Sequence, residues 1–537
     1  MANKSLKVLF VPLLNAGHVN PCIAIAEQLI DSGHRAVFAV DSVWSGKLTA
    51  YGIDEIVLAK TDRPLHSPND TPDATREMMA SVMFSDASAL QKAIIRAKHS
   101  DLWTKYAIKM DKQLERLLPD IRPDVIIVDQ LIALPAVELS GIPCVWVWSG
   151  GILEMVNDER APPRQSGLSA TGDQKLWQEF RQIVKNNEKD EWRAFNHYVV
   201  GRGCEPLPEY YFHNPSHYLN IYGYPLELDY QDIRPLGRNF VEFDHFMRTE
   251  RHLTFAVPPE LAAKPGKLVY FSLGSIASMD VSNMRRLVAI LAKSPHRFIV
   301  SKGPLHMDYT LADNMWGEAS VPQIQVLPLV DLVLTHGGIN TVTESLYFGR
   351  PMIAMPVFGE QYDNAQRLQD KGFGLRLDAY RCSEKELLAA IETLLSDRRL
   401  TERLAEDAFT ASHNVAKQFI ISDNDMLKQN TIYELMSKFT NLIIVQLDDN
   451  DKFTMVPDNA FGNQPKLKQL TIRSAEKSIG SHAFSGLTGL RTLNVNYDQL
   501  SHISANAFAI DKHSNESLTI SLNRNLLNEN RLSFLLD

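Results

Sequence analysis

The chain has 537 residues, too long for one ordinary domain, and its length predicts roughly three or four packing units. Its 45% hydrophobic and 22% charged content is that of a globular protein and excludes a disordered or collagen-like chain. A net charge of −9 argues against nucleic acid or an anionic membrane as the main partner. The four cysteines show no metal-site spacing, and they predict a reducing compartment.

The sequence also bears on location. No stretch reaches the roughly 18 uninterrupted apolar residues that a membrane-spanning helix requires. Lys4 and Lys7 precede a short apolar run, as in a secretory signal, but the NAGHVNP that follows is typical of a strand-to-helix loop rather than a cleavage site. We therefore predict a cytoplasmic protein without a membrane span.

In the first half, short apolar runs alternate with longer helical patterns, which is typical of parallel βαβ units. Asn20-Pro21 predicts a helix start, with the asparagine as N-cap and the proline at the first helical position, and Gly33 ends that helix. The predicted strands are 7–14, 35–40, 123–129 and 142–148. The other predicted helices are about 88–118 and 175–185, the second within an aromatic, irregular stretch.

A proline-bearing stretch at 256–267 is typical of a linker, and the same alternation restarts after it. Two similar α/β halves predict two Rossmann-like domains that face a cleft, where ligands lie beyond the carboxyl ends of the strands. The predicted strands of the second half are 267–275, 296–303, 323–328, 331–338 and 351–356.

Beyond about residue 440 the pattern changes to a repeat. Ala-Phe pairs at 460–461, 483–484 and 507–508 are 23 and 24 residues apart, and the apolar runs 467–472 and 490–495 are also 23 apart. A short strand and an Asn-rich turn in each unit of this length resemble the leucine-rich-repeat superfamily, which usually presents a concave protein-binding surface. The resemblance implies a protein partner for residues 440–537.

The most informative segment is DLVLTHGGINTVTES, in which a buried strand ends at His336 and two glycines precede a helix that starts near Asn340 or Thr341. Glycines let a ligand approach the backbone, and the N–H groups of a helix start attract phosphate. Glu344, one turn later, is a carboxylate suited to paired ribose hydroxyls. A plain glycine turn between a strand and a helix remains an alternative on these residues alone.

This region resembles the donor-binding signature of the family 1 UDP-glycosyltransferases, which have the GT-B fold. The resemblance covers roughly residues 5–435 and is closest to arthropod and bacterial members, including macrolide glycosyltransferases. It implies that Gln323 meets the uracil base, that Glu344 binds the ribose, and that Glu360 and Gln361 bind the sugar. Ser320 stands where plant members have a tryptophan, so stacking on uracil must come from elsewhere. The residues implied to hold the diphosphate are His336, Gly338, Asn340 and Thr341, Ser275 is implied to lie by the phosphates, and Gly274 is a further residue implied to bind the UDP-sugar.

A second constellation lies in the first half. NAGHVNP places His18 after the first strand, facing the cleft, and Asp129 ends the strand 123–129. A lone histidine after a strand is by itself more often a loop residue. The resemblance implies that His18 is the general base and that Asp129 orients and polarises it. It also implies one inverting displacement in which the helix terminus and His336, rather than a metal, meet the charge on UDP. No cofactor is predicted.

We therefore predict an α/β enzyme with two Rossmann-like domains in a GT-B fold and a short leucine-rich-repeat segment. It would transfer a hexose, with UDP-glucose as the first candidate donor, to a hydroxyl of a small lipophilic acceptor in a pocket lined by aromatic residues of 146–230. Two alternatives remain: a repeat-based scaffold with a silent transferase half, and a fusion of two neighbouring coding regions. The predicted domains are 1–240 for the acceptor, 241–266 as linker, 267–438 for the UDP-sugar and 439–537 for the repeats.

Overall fold

The contacts of this computed structural model divide the chain into two compact units. The first unit is Met1–Pro235 with His245–Thr410, and the second is Leu236–Asp244 with Ala411–Asp537. The described residues are 5–58, 84–156, 158–406, 418–422, 442, 444–448, 455–462, 464, 466–473, 478–496, 502–504, 506–507 and 519–523. Among them, no helix is both long enough and apolar enough to cross a membrane.

The first unit begins with a parallel sheet in the order β3-β2-β1-β4-β5-β6. Its strands are β1 (Lys7–Pro12), β2 (Arg35–Val40), β3 (Asp54–Val57), β4 (Val125–Asp129), β5 (Cys144–Trp148) and β6 (Leu219–Gly223), and the next strand, β7 (Phe240–Phe243), is grouped with the second unit. The helices of this half are α1 (Ala16–Asp31), α2 (Ala89–Lys98), α3 (Ser100–Ile121), α4 (Pro135–Glu138) and α5 (Gln174–Arg202).

A second parallel sheet follows in the order β10-β9-β8-β11-β12-β13. Its strands are β8 (Leu268–Ser272), β9 (Arg297–Ser301), β10 (Met315–Glu318), β11 (Leu332–Thr335), β12 (Met352–Ala354) and β13 (Gly374–Arg376). Its helices are α6 (Pro259–Ala262), α7 (Gly274–Ala277), α8 (Val281–Leu291), α9 (Gln323–Val326), α10 (Ile339–Tyr347), α11 (Gln361–Lys371), α12 (Glu384–Ser396) and α13 (Arg398–Glu406).

Both sheets reverse their strand order at the same place, between the first strand and the fourth. In the first sheet this point lies between β1 and β4, and in the second between β8 and β11. Loops that leave the carboxyl ends of such a pair diverge to opposite faces of the sheet and open a crevice, which is where ligands bind in doubly wound folds. His18 follows β1, Asp129 ends β4 and His336 follows β11, so all three lie beside such a point.

The strand predicted at 323–328 is wrong. Its residues form α9 and a 3-10 turn at Leu327–Leu329, and β10 at Met315–Glu318 occupies the sheet edge instead. An apolar run this short fits either a strand or a helix, and Pro322 and Pro328 carry no N–H for a strand ladder. The other strands predicted for the two halves are confirmed within a few residues, and the helix predicted at 175–185 continues to Arg202 as α5.

The second unit contains a parallel sheet in the order β14-β15-β17-β19-β21 and a smaller one in the order β16-β18-β20. Its core repeats at the period predicted from the sequence: Phe461 stacks on Phe484 with ring centroids 5.6 Å apart, and Leu470 lies opposite Leu493. Phe508, of the third Ala-Phe pair, lies outside the described residues. The strands are β14 (Gln418–Ser422), β15 (Ile444–Asp448), β16 (Met455–Val456), β17 (Gln469–Arg473), β18 (Ser478–Ile479), β19 (Thr492–Asn496), β20 (His502–Ile503) and β21 (Thr519–Asn523), so the larger sheet starts before residue 439.

Candidate active site

A cavity of about 580 Å³ lies in the first unit, and residues from both of its sheets line it. The end of β1 and the start of α1 contribute Leu13 and His18, and the loop after β5 contributes Ser149. From the other half, all ten residues predicted to bind the UDP-sugar also line this cavity. They are Gly274, Ser275, Gln323, His336, Gly338, Asn340, Thr341, Glu344, Glu360 and Gln361.

The predicted base and its partner are in direct contact. Nδ1 of His18 lies 2.8 Å from Oδ1 of Asp129, and both side chains are buried. Ser149, which the sequence analysis did not single out, donates a hydrogen bond to Oδ2 of Asp129, and its Oγ lies 3.1 Å from Nδ1 of His18. With Nδ1–H donating to Asp129, the neutral ring carries its lone pair on Nε2. The arrangement can therefore take a proton at Nε2.

The charge state of His18 follows from its neighbours. Burial alone would lower the pKa of His18, but the charge of Asp129 and its hydrogen bond, with smaller contributions from Glu360 and Glu154, leave that pKa raised above 6.5. A base with a raised pKa holds a proton strongly once it has taken it, although it is neutral only at higher pH.

The predicted start of the His18 helix is wrong. Helix α1 begins at Ala16 with Asn15 as N-cap, whose side chain accepts a hydrogen bond from the backbone N–H of His18 at 3.3 Å. Pro21 consequently lies inside the helix instead of at its first position. Asparagine suits both positions, and the earlier one is favoured here because Asn15 caps the turn that carries His18.

The loop between β11 and α10 is built around the ring of His336. A Cβ on Gly338 would lie 2.5 Å from Nε2 of His336, and a Cβ on Gly274 would lie 2.7 Å from its Cε1. Gly274 and Gly337 also have positive φ, at +73° and +83°. Burial lowers the pKa of His336 to about 4, although a hydrogen bond with the Ser272 backbone opposes the shift. The ring is therefore neutral and can act as a donor only through one N–H.

The start of α10 has the features of an anion site. Its N-cap residue, Gly338, provides no side-chain hydrogen bond to the helix. The first backbone N–H groups of a nine-residue helix are thus left for another acceptor, with the positive end of the helix dipole behind them. Asn340 lines the same region, but its Nδ2 donates to the backbone carbonyl of Gly17 at 2.9 Å.

A chain of hydrogen bonds behind this helix start joins Gln323, the predicted ligand of the uracil base, to Glu344, the predicted ligand of the ribose. The hydroxyl of Tyr270 donates to Oε1 of Gln323 at 3.2 Å, and Nε2 of Gln323 donates to Oε2 of Glu344. The other oxygen of Glu344 lies 3.5 Å from Nη1 of Arg248. Burial raises the pKa of Glu344 to about 7, while Arg248 and Gln323 act to lower it. Arg248 lines the cavity and was not predicted from the sequence.

The two predicted sugar ligands differ in their surroundings: the side chain of Gln361 binds backbone groups, and the carboxyl group of Glu360 has a shifted pKa. Oε1 of Gln361 accepts hydrogen bonds from the backbone N–H groups of Val357 and Phe358, at 3.0 and 3.1 Å, so this oxygen holds the loop before α11. Burial, together with Glu154, raises the pKa of Glu360 to about 7. Glu360 therefore offers a carboxyl group that changes charge near neutral pH.

The aromatic residues predicted to line an acceptor pocket do not line this cavity. Trp103 and Phe358 provide aromatic surface instead. Alternate residues of a strand share a face, and Trp146 and Trp148 of β5 lie in the core with ring centroids 5.5 Å apart. Trp177 and Phe212 are also buried, while Tyr210 and Tyr211 line a separate cleft of about 40 Å³.

A buried charge cluster lies on the same side of the cavity. Arg96 of α2 lies 4.0 Å from Glu154 and 3.7 Å from Glu188, and Gln165 donates to Glu154. Arg164 forms a closer pair with Glu188, at 2.8 Å. Arg96, Glu154 and Gln165 line the cavity, so this part of its wall carries charged and polar groups.

Comparisons with known proteins agree with this geometry. Residues 262–406 match the family model described as UDP-glucoronosyl and UDP-glucosyl transferase, and residues 400–532 match six copies of the BspA type leucine rich repeat region. The chain is 24% identical to the oleandomycin glycosyltransferase of Streptomyces antibioticus over 72% of this chain and 83% of that protein. It is 24% identical to NDP-glycosyltransferase YjiC of Bacillus subtilis over 72% and 88%.

More local similarity links the chain to UDP-glucuronosyltransferase 2B17 of Homo sapiens, at 32% identity over 24% of this chain and 25% of that protein. Among solved structures, the glycotransferase of kitacinnamycin superposes with a TM-score of 0.56 at 20% identity, over 75% of this chain and 94% of the other. CalG4, the calicheamicin glycosyltransferase, superposes with a TM-score of 0.52 at 19% identity, over 75% and 92%.

The two doubly wound sheets around one cavity form a GT-B fold. The family-model match at residues 262–406 and the two relatives that cover 72% of the chain support a glycosyltransferase enzyme, and residues 400–532 match BspA-type leucine-rich repeats.

Proposed function

We propose that this enzyme transfers a hexose, with glucose as the first candidate, from a UDP-sugar to a hydroxyl of a small lipophilic acceptor, with inversion. His18 is the general base and Asp129 supports it. The observation that carries the proposal is the 2.8 Å contact between His18 and Asp129 in the cavity that the start of α10 also lines. A base and an anion-binding helix start in one cavity are what this displacement requires.

In the proposed reaction, Nε2 of His18 takes the proton of the acceptor hydroxyl while the acceptor oxygen attacks the anomeric carbon. The bond from that carbon to the phosphate oxygen breaks, and UDP leaves with the electron pair. Asp129 stabilises the imidazolium that forms, and the N–H groups at the start of α10 meet the charge on UDP. We propose that the step needs no metal, so a chelator should leave turnover unchanged.

The choice of a UDP-sugar rests on the donor half. Gln323 and Glu344 supply an amide for a base and a carboxylate for ribose hydroxyls, and both line the cavity. Relatives named for UDP-glucuronosyl transfer and for NDP-sugars support a nucleotide-linked donor. We propose that the pyrophosphate lies against Gly338 and the start of α10 and that the sugar lies beside Glu360.

The acceptor is proposed from the remaining wall. Trp103, Leu131 and Phe358 supply apolar surface, which suits a lipophilic ring system. Arg96 and Glu154 add charges on the same side, which suits an acceptor that also carries polar substituents.

The test measures UDP release from a panel of UDP-hexoses, including glucose, galactose and glucuronate, against phenols and other lipophilic alcohols. Wild type should turn over at least one pair, and His18→Ala should lower that turnover about 10³-fold while it still binds UDP. The proposal is wrong if no pair is turned over, or if His18→Ala is as active as wild type.

We propose, independently, that the repeat unit binds a protein. Asn494 and Ser521 lie opposite each other on β19 and β21 and are partly exposed, so they offer polar uncharged side chains to a partner, whereas Thr471 of β17 in the same row is buried. Cross-linking of the full chain in its native extract should give a defined adduct, and Asn494→Arg should remove it. If wild type and Asn494→Arg give the same pattern of adducts, this proposal is wrong.

We also propose a cytoplasmic location. All four cysteines are unpaired, and three of them are buried, which favours a reducing compartment. Fractionation of the native source would contradict the proposal by recovering the protein with a membrane or secreted fraction.

A further inference from the structure

Helix α1 contains a proline at an interior position, where proline ordinarily destabilises a helix. Pro21 is the sixth residue of this helix, well inside its first two turns, and it is buried. Proline has no backbone N–H, and its ring crowds the carbonyl group four residues earlier. In α1 that carbonyl belongs to Gly17, which is therefore left without its usual intrahelical donor.

The carbonyl of Gly17 has a partner from the other half of the first unit. Nδ2 of Asn340 donates to it at 2.9 Å. Gly17 immediately precedes His18, and Asn340 is the second residue of α10. One hydrogen bond therefore joins the turn that carries the proposed base to the helix start that would hold the diphosphate. One of the two side-chain N–H groups of Asn340 is used in this contact, which leaves the second one and the backbone N–H for a phosphate.

We propose that Pro21 is a positioning residue for the transfer reaction. Because Pro21 has no backbone N–H, the Gly17 carbonyl lacks its intrahelical hydrogen bond and is available to Asn340. The resulting hydrogen bond holds His18 at a fixed distance from the UDP-sugar. The consequence for catalysis rests on the proposed role of His18, whereas the hydrogen bond and its dependence on Pro21 do not.

The substitution Pro21→Ala would reverse this arrangement. The new backbone N–H would donate to the Gly17 carbonyl within α1, as in any regular helix, and the carbonyl would then be shared between two donors, which weakens its hydrogen bond with Asn340. The cross-cleft contact would loosen although α1 itself would gain a hydrogen bond. A proline that only shapes the packing of α1 would have no such link to Asn340.

The first test uses thermal unfolding and needs no activity. Wild type, Pro21→Ala, Asn340→Ala and the double variant are compared as full chains. Asn340→Ala should lower Tm when it is made in the wild type, because it leaves the Gly17 carbonyl unsatisfied, and should have little effect when it is added to Pro21→Ala. An equal fall of Tm in both cases overturns the proposal. The matched control is Pro119→Ala, a proline inside α3 that does not line the cavity, in which Asn340→Ala should act as in wild type.

The second test uses kinetics on a donor and acceptor pair that the wild type turns over. Pro21→Ala should lower kcat about five- to tenfold and change KM for the donor less than twofold, and it should have no further effect on kcat once Asn340 is alanine. The positioning role is overturned if kcat is unchanged in Pro21→Ala, or if the effects of Pro21→Ala and Asn340→Ala on kcat multiply in the double variant. If His18→Ala instead proves fully active, the proposed function fails while the unfolding result still stands or falls separately.

Discussion

The two sheets of the first unit each place a histidine at the cavity, and the pKa values of the two histidines shift in opposite directions. His18 follows the first strand of its sheet and His336 follows the fourth strand of the other. Burial acts on both, yet the pKa of His18 is raised, because Asp129 faces it, and that of His336 falls to about 4. The same residue type at related places in two similar folds thus has a raised pKa in one half and a lowered pKa in the other.

The difference comes from what surrounds each ring. Asp129 ends the strand next to β1 and gives His18 a carboxylate partner. His336 instead has Gly274 and Gly338 against its ring. The glycines allow close approach of the loop but add no charge. The half that carries His18 is therefore suited to accept a proton, and the half that carries His336 is suited to bind an anion through backbone N–H groups.

The largest effect is expected from His18→Ala. Loss of a general base should lower kcat/KM about 10³-fold, and the affinity for UDP should stay within twofold, because the donor half is untouched. Steady-state kinetics and calorimetric UDP titration check both numbers. His217→Ala, at an exposed histidine, is the control and should behave as wild type. Equal losses of UDP affinity and turnover would place His18 in binding rather than proton transfer.

A smaller fall, roughly 10²-fold in kcat, is expected for Asp129→Asn, which keeps the shape but removes the charge that raises the pKa of His18. Activity requires neutral His18, so the wild-type rate should rise with pH through a pKa above 6.5. In Asp129→Asn that rise should move to lower pH. A pH profile measured for both proteins checks the sign, and a rise that moves to higher pH would contradict it.

In the donor half, Gly338→Ala should weaken UDP binding about 5- to 100-fold, because the new Cβ would lie 2.5 Å from Nε2 of His336 and the loop must shift. Titration with UDP measures the change. Gly201→Ala is the matched control, since its Cβ would meet nothing within 4 Å. UDP affinity that stays at the wild-type value would mean that this loop does not hold the diphosphate.

The smallest effect is expected from Tyr270→Phe, which removes the hydroxyl that donates to Gln323 at 3.2 Å. Loss of one hydrogen bond should weaken UDP binding about 2- to 10-fold without changing the pH profile of turnover. Tyr309→Phe, which removes a hydroxyl outside the cavity, should leave UDP affinity unchanged. An altered pH profile in Tyr270→Phe would contradict the separation of the two halves.

Much of the fold could be predicted, because apolar runs and helical patterns alternate regularly and the repeats have a clear period. The structure of the run at 323–328 could not be predicted, because six apolar and amide residues fit either a strand or a helix. In the folded protein β10 forms the edge of the sheet, and this run is helical. The prediction that aromatic residues of 146–230 line the acceptor pocket is wrong, because an aromatic side chain suits a protein core as well as a cavity wall. Trp146 and Trp148 face the core by their place on β5.

The alternation of apolar runs and helical patterns along the chain indicated two Rossmann-like halves and the glycine loop at 336–338, and the resemblance to the family 1 UDP-glycosyltransferases implied the GT-B fold and the candidate pair His18 and Asp129. Only the folded chain decides which distant groups touch: Ser149 with Asp129, Arg248 with Glu344, and Asn340 with the carbonyl that Pro21 leaves open. The charge of each histidine is decided at the same level. A pKa depends on burial and on neighbouring charges, and the elements that supply them are far apart in sequence.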